Sequence, residues 1–487
     1  MLSLHLGLTT AGQAEKHSPH VAAGISLEAG EVPDPISLSP VDGVLAVTLT
    51  AKPSKVEVAG RSFVTNVYNG MYIPPVLRLK RADELQLKLV NETGRGGLEI
   101  EKPQMTNLHY HGMAIPPVQP ADDVYMLVPP LDMKLGKHTA HAKGMDIKST
   151  NSFDYSWRVP DDHPYGVYWY HPHPHSETED QVLDGMSGLL IIEGFIENHY
   201  PKLASAKRRT LALKDLELPG SDDDTPKTKT VNGVLGGTLT AVPGSFEVWE
   251  IGNIGADSYF DLALDGHKLW VLALDGNALS TPRETDHVFL PPSSRAEIAV
   301  EIGSGGRYAL RTREVETGKA GDANPDVVLA TLKVEGAPVD SSDLRAQLGA
   351  PIAIEKAGPT AAEIAALPVT RQRRIVYTEN AAGTEFYLDG KQFAMDRIDV
   401  EVKLGDVEEW TLVNDTDERH TFHIHQLEFL VQSVGDNPLE TVGVRDNIDL
   451  PFRDPKTQEA RRSEGQDPLH QSCDRRKIPL PLPHPRA

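Results

Sequence analysis

Glu84-Leu-Gln-Leu-Lys-Leu-Val-Asn91 is the stretch from which the fold can be read. Its leucines fall on every second position, so in an extended chain Leu85, Leu87 and Leu89 share one face and Glu84, Gln86 and Lys88 the other. That is the signature of a half-buried strand. The pattern returns in degenerate form as Phe246-Glu-Val-Trp-Glu-Ile-Gly-Asn253 and Val407-Glu-Glu-Trp-Thr-Leu-Val-Asn414, each closing on asparagine. The intervals, 253 − 91 = 162 and 414 − 253 = 161 residues, point to three copies of one β unit of sandwich size. An all-β chain is expected, with a loose arm over 1–40 and sandwiches over 41–198, 199–336 and 371–456. A Pro/Ala-rich linker over 337–370, with a short helix at 361–366, would join the last two, and a tail runs over 457–487.

The chain of 487 residues is long enough for several cores, and 39% hydrophobic with 24% charged residues is ordinary for a globular protein. A net charge of -22 disfavours nucleic acid and anionic membrane as partners. No apolar run reaches the length that spans a bilayer. Residues 1–14 are mildly apolar but lack a basic start, which leaves an export-signal remnant and a disordered start both open. Cys473 is the single cysteine, so a disulfide framework and a thiolate-rich metal site are excluded.

Chemistry is concentrated in three short segments: Asn107-Leu-His-Tyr-His-Gly112, Trp169-Tyr-His-Pro-His-Pro-His175 and His420-Thr-Phe-His-Ile-His425. On a strand each His-X-His sets two imidazoles side by side. One such pair is most often a surface accident; three are a metal site. Imidazole suits zinc, copper, iron and nickel, but six imidazoles with no interleaved carboxylate exceed one tetrahedral zinc site, so more than one ion is expected, and copper is the reading adopted. The middle copy has Phe260-Asp-Leu-Ala263 where the third has Phe422-His-Ile-His425, and has therefore lost its imidazoles. His267, in Asp265-Gly-His-Lys268, reads as a loop or packing histidine.

From about Val41 to about Pro455 the chain resembles the multicopper oxidase family, in its bacterial laccase-like branch of three cupredoxin domains. Tyr68-Asn69-Gly70 and the segments 106–112, 166–173, 181–193 and 419–426 carry the resemblance. It implies three tandem cupredoxin-like Greek-key β-sandwiches, the first and last clasping a copper cluster and the middle one spacing them. By the same resemblance His109 and His423 would hold a type 2 copper, His111, His171, His173 and His425 a type 3 pair, and His420 the blue type 1 copper; His175 would sit at the rim. Asp122 and Asp123 stand where the family carries a proton donor for oxygen reduction, or are turn acids on the surface. The activity implied is one-electron oxidation of small phenols or aromatic amines coupled to reduction of dioxygen to water, in a periplasmic or secreted monomer. A non-catalytic copper-binding scaffold and a cuprous-ion oxidase are the alternatives. The latter normally carries a Met-rich insert, whereas the nine methionines here are spread along the chain.

The chain departs from the family after His425. The expected His-Cys-His stretch, supplying the blue copper's thiolate, is absent, and Cys473 lies in Gln471-Ser-Cys-Asp474 without flanking histidines. The blue site is therefore expected to be lost, with fewer than the family's four coppers bound. The tail reads as the family's own terminus one base out of frame. Ile478 to Ala487 can be encoded att ccc ctt cca ctg cca cat cct cga gca, and dropping the first base spells Phe-Pro-Phe-His-Cys-His-Ile-Leu-Glu. The same shift turns Glu459 to Gln466 into Lys-Pro-Gly-Glu-Val-Lys-Val-Lys, a turn followed by strand alternation, which puts the break between about Pro451 and Glu459.

Overall fold

In the computed structural model, residues 30–94, 104–131, 133, 144–222, 225–352, 361–394, 396–434, 437–438, 443–453 and 476–481 are described. They form β-sandwiches in which the three repeated strands hold equivalent places. Glu84–Asn91 lies third in the sheet Arg61–Tyr68, Val44–Val58, Glu84–Asn91, Ser152–Arg158. Phe246–Asn253 lies third after Thr228–Val231 and Lys207–Leu216 and is followed by Arg295–Glu301; Val407–Asn414 lies third after Phe386–Leu388 and Arg371–Glu379. In each sheet the first pairing is antiparallel, the second parallel and the third antiparallel. A parallel pair needs a crossover, and in the first two sandwiches it runs through the opposite layer, by Val76–Leu79 and Gly237–Ala241, as in Greek-key sandwiches.

The structure also explains why each copy ends on asparagine. Asn91 Nδ2 donates to the carbonyls of Gln104 and Val128 (2.8 and 2.9 Å), Asn253 to Ser258 and Leu290 (2.8 and 3.0 Å), and Asn414 to Glu418 and Leu450 (2.8 and 2.9 Å). Their Oδ1 atoms accept the N–H two residues on, from Thr93, Gly255 and Thr416. Only an amide side chain offers two donors and an acceptor without charge, so one buried residue closes a turn and ties down the loops and strand that follow it. Copies two and three share a second device: Trp249 and Trp410 Nε1 donate to Glu247 and Glu408, which also pair with Arg209 and Arg373 on the parallel neighbour strands.

The opposite layer positions the histidines. In the first sandwich it is the sheet Ser37–Leu38, Val76–Leu79, Gly188–Ile192, Gly166–His171, His109–His111. In the second it is Gly237–Ala241, Val327–Val334, Gly306–Arg313, Phe260–Leu264, Val288–Leu290. In the third, His420–His423 pairs with Asn447–Leu450 alone among the described residues. Each sandwich has its own core, built around Leu87 and Tyr110, Trp249 and Leu262, and Trp410 and Phe422 respectively.

Three expectations need correction. The arm is not loose over 30–40: Val32 is buried in the second core, its N–H donates to Thr238 O (2.9 Å), and Ser37–Leu38 pairs with Val76–Leu79. Residues 337–370 carry the expected short helix, Ala361–Ala365, but are not a plain linker, since Ser342–Leu348 is a second helix whose Leu348 packs with Phe195 and Phe246. Within the tail, Arg476–Pro481 forms a strand against Val407–Asn414 despite its prolines, which an edge position tolerates. In the second sandwich the strand in that place, Arg295–Glu301, follows Val288–Leu290 almost at once; in the third, Asn447–Leu450 and Arg476–Pro481 are far apart in sequence. Cys473 and Glu459 to Gln466 lie outside the described residues.

Candidate metal centre

Strand parity aims the imidazoles. His109–His111 runs antiparallel to Gly166–His171 with His109 opposite His171, Tyr110 opposite Tyr170 and His111 opposite Trp169. Directly opposed residues share a face. Tyr110 and Tyr170 therefore fill the first core, and His109, His111 and His171 emerge together on the other side. His173 follows, its N–H held by Asn107 Oδ1 at 2.6 Å. The third sandwich obeys the same rule: Phe422 and Ile424 enter its core, while His423 and His425 turn toward the first sandwich. His420 shares the parity of Phe422 and stays inside, between Tyr377 (5.5 Å between ring centroids) and Phe386 (5.2 Å).

Six rings from two sandwiches thus converge. His109 stacks on His425 at 4.0 Å and His111 on His423 at 3.7 Å, across the interface. His109 lies 5.3 Å from His171 and 5.4 Å from His173, and His173 lies 5.0 Å from His425. Ligand atoms of His109, His111 and His423 all fall within 4.8 Å of one another. Trp169 stacks on His171 at 4.0 Å and closes one side.

The ring nitrogens divide their work. The Nδ1 atoms of His171 and His423 bond the backbone carbonyls of Pro172 and Asp446, both at 2.7 Å, while Nε2 of His111, His171 and His423 is buried without a hydrogen-bond partner. A carbonyl accepts only a proton, so Nδ1 carries it in His171 and His423 and Nε2 keeps its lone pair. Burial holds the His111 and His171 rings well below their ordinary range, lowers His423, and takes His173 and His420 down to about 4. Neutral imidazoles with oriented, unsatisfied Nε2 atoms are what a soft-to-borderline metal requires, and the donor set fits copper.

Asp122 and Asp123 part company. Asp122 is buried; its carboxylate lies 3.0 Å from His109 Nδ1 and accepts from Tyr110 N–H (3.0 Å) and from Gln426 Nε2 (2.6 Å) of the third sandwich. Burial pushes its carboxyl up to about 8, so it carries a proton at neutral pH. Asp123 instead caps the Tyr125 N–H at 3.0 Å and accepts from Gln119, the turn-acid arrangement. His175 lies outside the six rings, 4.5 Å from Phe393. Both nitrogens of His267 are occupied, by Asp265 O and by the Gly303 N–H, as a packing histidine requires.

Asp446, Arg295 and Gln426 escaped sequence reasoning, because each acts across a domain boundary and none lies in a periodic pattern. Gly112, directly after His111, was the one local sign that something must approach closely there.

The chain matches family models described as multicopper oxidase over residues 136–195, 193–337 and 366–460. Two curated relatives are a multicopper oxidase of Staphylococcus aureus, 25% identical over 84% of this chain and 80% of its own, and the cell division protein FtsP of Glaesserella parasuis, 24% identical over 75% and 72%. Two solved structures share the fold: a Campylobacter jejuni multicopper oxidase described as a metallo-oxidase (TM-score 0.70, 20% identity, 93% of this chain and 90% of that one) and a laccase-like multicopper oxidase of Ochrobactrum sp. (0.67, 20%, 93% of each). The family matches fall on all three sandwiches and take in four of the six clustered histidines, His171, His173, His423 and His425, so the chain belongs to the multicopper oxidases, a family of copper-dependent oxidoreductases.

Proposed function

We propose that this chain is a laccase-like multicopper oxidase, taking single electrons from small phenolic or aromatic amine donors and passing them to dioxygen, in the periplasm or outside the cell, as a monomer. The carrying observation is the convergence of His109, His111, His171, His173, His423 and His425 from two sandwiches into one buried site. Those six would hold the cluster, and His420, which packs between Tyr377 and Phe386 inside the third sandwich, would be the histidine of a separate blue site. Copper held there supplies electron storage, so that dioxygen can receive four electrons without release of partly reduced species. The chain's own residues do the rest. Backbone carbonyls fix the His171 and His423 rings, burial excludes bulk water, and Asp122 holds a proton beside His109 at the pH where oxygen reduction consumes protons.

With Cys473 away from any His-X-His, the chain as written would bind one or two copper ions and would not be blue. The absence of a Met-rich stretch favours aromatic donors over copper(I). Oxygen consumption by the copper-loaded protein, with a dimethoxyphenol and with copper(I) as alternative donors, tests the reading in a chain whose thiolate motif has been restored. Turnover of copper(I) with no phenol oxidation would overturn the laccase reading. Copper uptake with neither activity would favour a binding or scaffold role.

A further inference from the structure

The middle sandwich has no imidazole in the cluster, yet one of its side chains reaches it. Arg295 is completely buried. Its Nη1 and Nη2 donate to both carboxylate oxygens of Asp446 in the third sandwich (2.8 and 2.7 Å), and its Nε donates to Val167 O in the first (3.1 Å). Nη1 also bonds Ser293 O, and the Arg295 backbone N–H is held by Asp275 Oδ1 at 2.9 Å. Asp446 in turn touches the metal centre twice. Its carbonyl accepts from His423 Nδ1 at 2.7 Å, and its Oδ1 lies 3.8 Å from His111 Nε2 and 4.0 Å from His423 Nδ1. Gly112 makes room for the pair: a Cβ there would lie 2.5 Å from Arg295 Nη2 and 2.6 Å from Asp446 Oδ2.

We propose that Arg295 is a positioning residue for the histidine cluster, contributed by the metal-free middle sandwich and acting through Asp446. The physical argument is one of competing partners. A buried carboxylate within 4 Å of a ligand nitrogen is drawn toward whatever cation occupies the centre, as a stray oxygen ligand. A bidentate guanidinium satisfies both of its oxygens in a fixed plane and leaves Asp446 as an oriented anion whose backbone aims His423. All three sandwiches then converge on one centre, the first and third with ligands and the second with the clamp that sets their geometry. The inference rests on the six histidines holding copper.

The test uses the full chain and copper(II) alone, read by competition titration and by the electron paramagnetic resonance spectrum, with urea unfolding of the metal-free protein alongside. Arg295→Met and Asp446→Asn are expected to weaken copper(II) binding about tenfold to a hundredfold and to change the hyperfine pattern. Arg295→Lys, which keeps the charge but not the two-pronged contact, should fall between; it also carries the test should Arg295→Met not fold. Asn447→Ala is the control. Asn447 Nδ2 bonds Pro292 O (2.8 Å) and Ser294 Oγ (2.9 Å) across the same interface, so its loss should lower the urea midpoint and leave the copper spectrum alone. An Arg295→Met protein with parental affinity and spectrum would overturn the clamp. A parent that takes up no copper(II) would overturn the copper reading, and the clamp with it.

Discussion

Replacing Asp122 by Asn removes a single titrating group from the most buried corner of the site, and its consequence can be worked through. The folded carboxyl is held up to about 8 against an ordinary value of 3.8. At any pH between these values the folded chain binds a proton at Asp122 that the unfolded chain does not. Stability changes with pH as the protons bound by the unfolded state minus those bound by the folded state, here minus one, so this group's contribution falls as pH rises and levels off above about 8. Each pH unit is worth about 1.4 kcal/mol. From pH 6 to pH 8 the metal-free parent should therefore lose about 2 kcal/mol relative to Asp122→Asn, since by about pH 8 the carboxyl is already half titrated. Titrating groups that do not adjoin Asp122 are common to the two proteins and cancel in the difference, including the buried imidazoles of His111, His171, His173, His420 and His423, whose depressed values make both proteins less stable as pH falls below 6.5. The assay is urea unfolding of both metal-free proteins at pH 6, 7 and 8, the quantity read being the change in their stability difference. A difference that stays constant across that range would refute the protonated-carboxyl reasoning and return Asp122 to an ordinary ionised partner of His109.

Replacing His109 and His423 together should abolish the type 2 copper resonance while the metal-free protein unfolds near the parental urea midpoint, since interface imidazoles add metal affinity more than core packing; a much lower midpoint would make them structural. Asn414→Ala leaves Glu418 O, Leu450 O and Thr416 N without their buried partner, at about 1 kcal/mol each, so the metal-free protein should lose roughly 3 kcal/mol in urea; an unchanged midpoint would show that the repeat's closing asparagine is not the tie described. The gene's own codons, read one base on, should spell His-Cys-His across Pro481 to His484, and restoring the base should turn the copper-loaded protein blue. Codons that do not spell it end the frameshift idea.

Much of this protein is legible in one dimension, because the period of a strand is local. Alternation in Glu84 to Asn91 and its two echoes predicts strands that hold the same place in each of three sheets, and His-X-His predicts paired imidazoles on one face. The asparagine ending each copy was visible too, although its task of tying down carbonyls as far away as Val128, Leu290 and Leu450 was not. His420 was set apart from His423 and His425 only through the family resemblance; in the structure it turns into its own core with Phe422 while they turn out.

Domain docking has no period, and what it decides could not be read from the chain. Asp122 and Asp123 are neighbours with identical side chains; burial of Asp122 beside His109, which raises its carboxyl in spite of the bond from Gln426 of the third sandwich, sets it apart from Asp123, a turn acid. The arm looked loose because Val32, Ile36 and Leu38 are scattered among Gly, Pro, Ser and acidic residues, and the burial of Val32 depends on a core assembled far along the chain. Arg295 and Asp446 lie in unrelated stretches of sequence and become a pair only when three sandwiches meet, in a space that exists because Gly112 has no side chain.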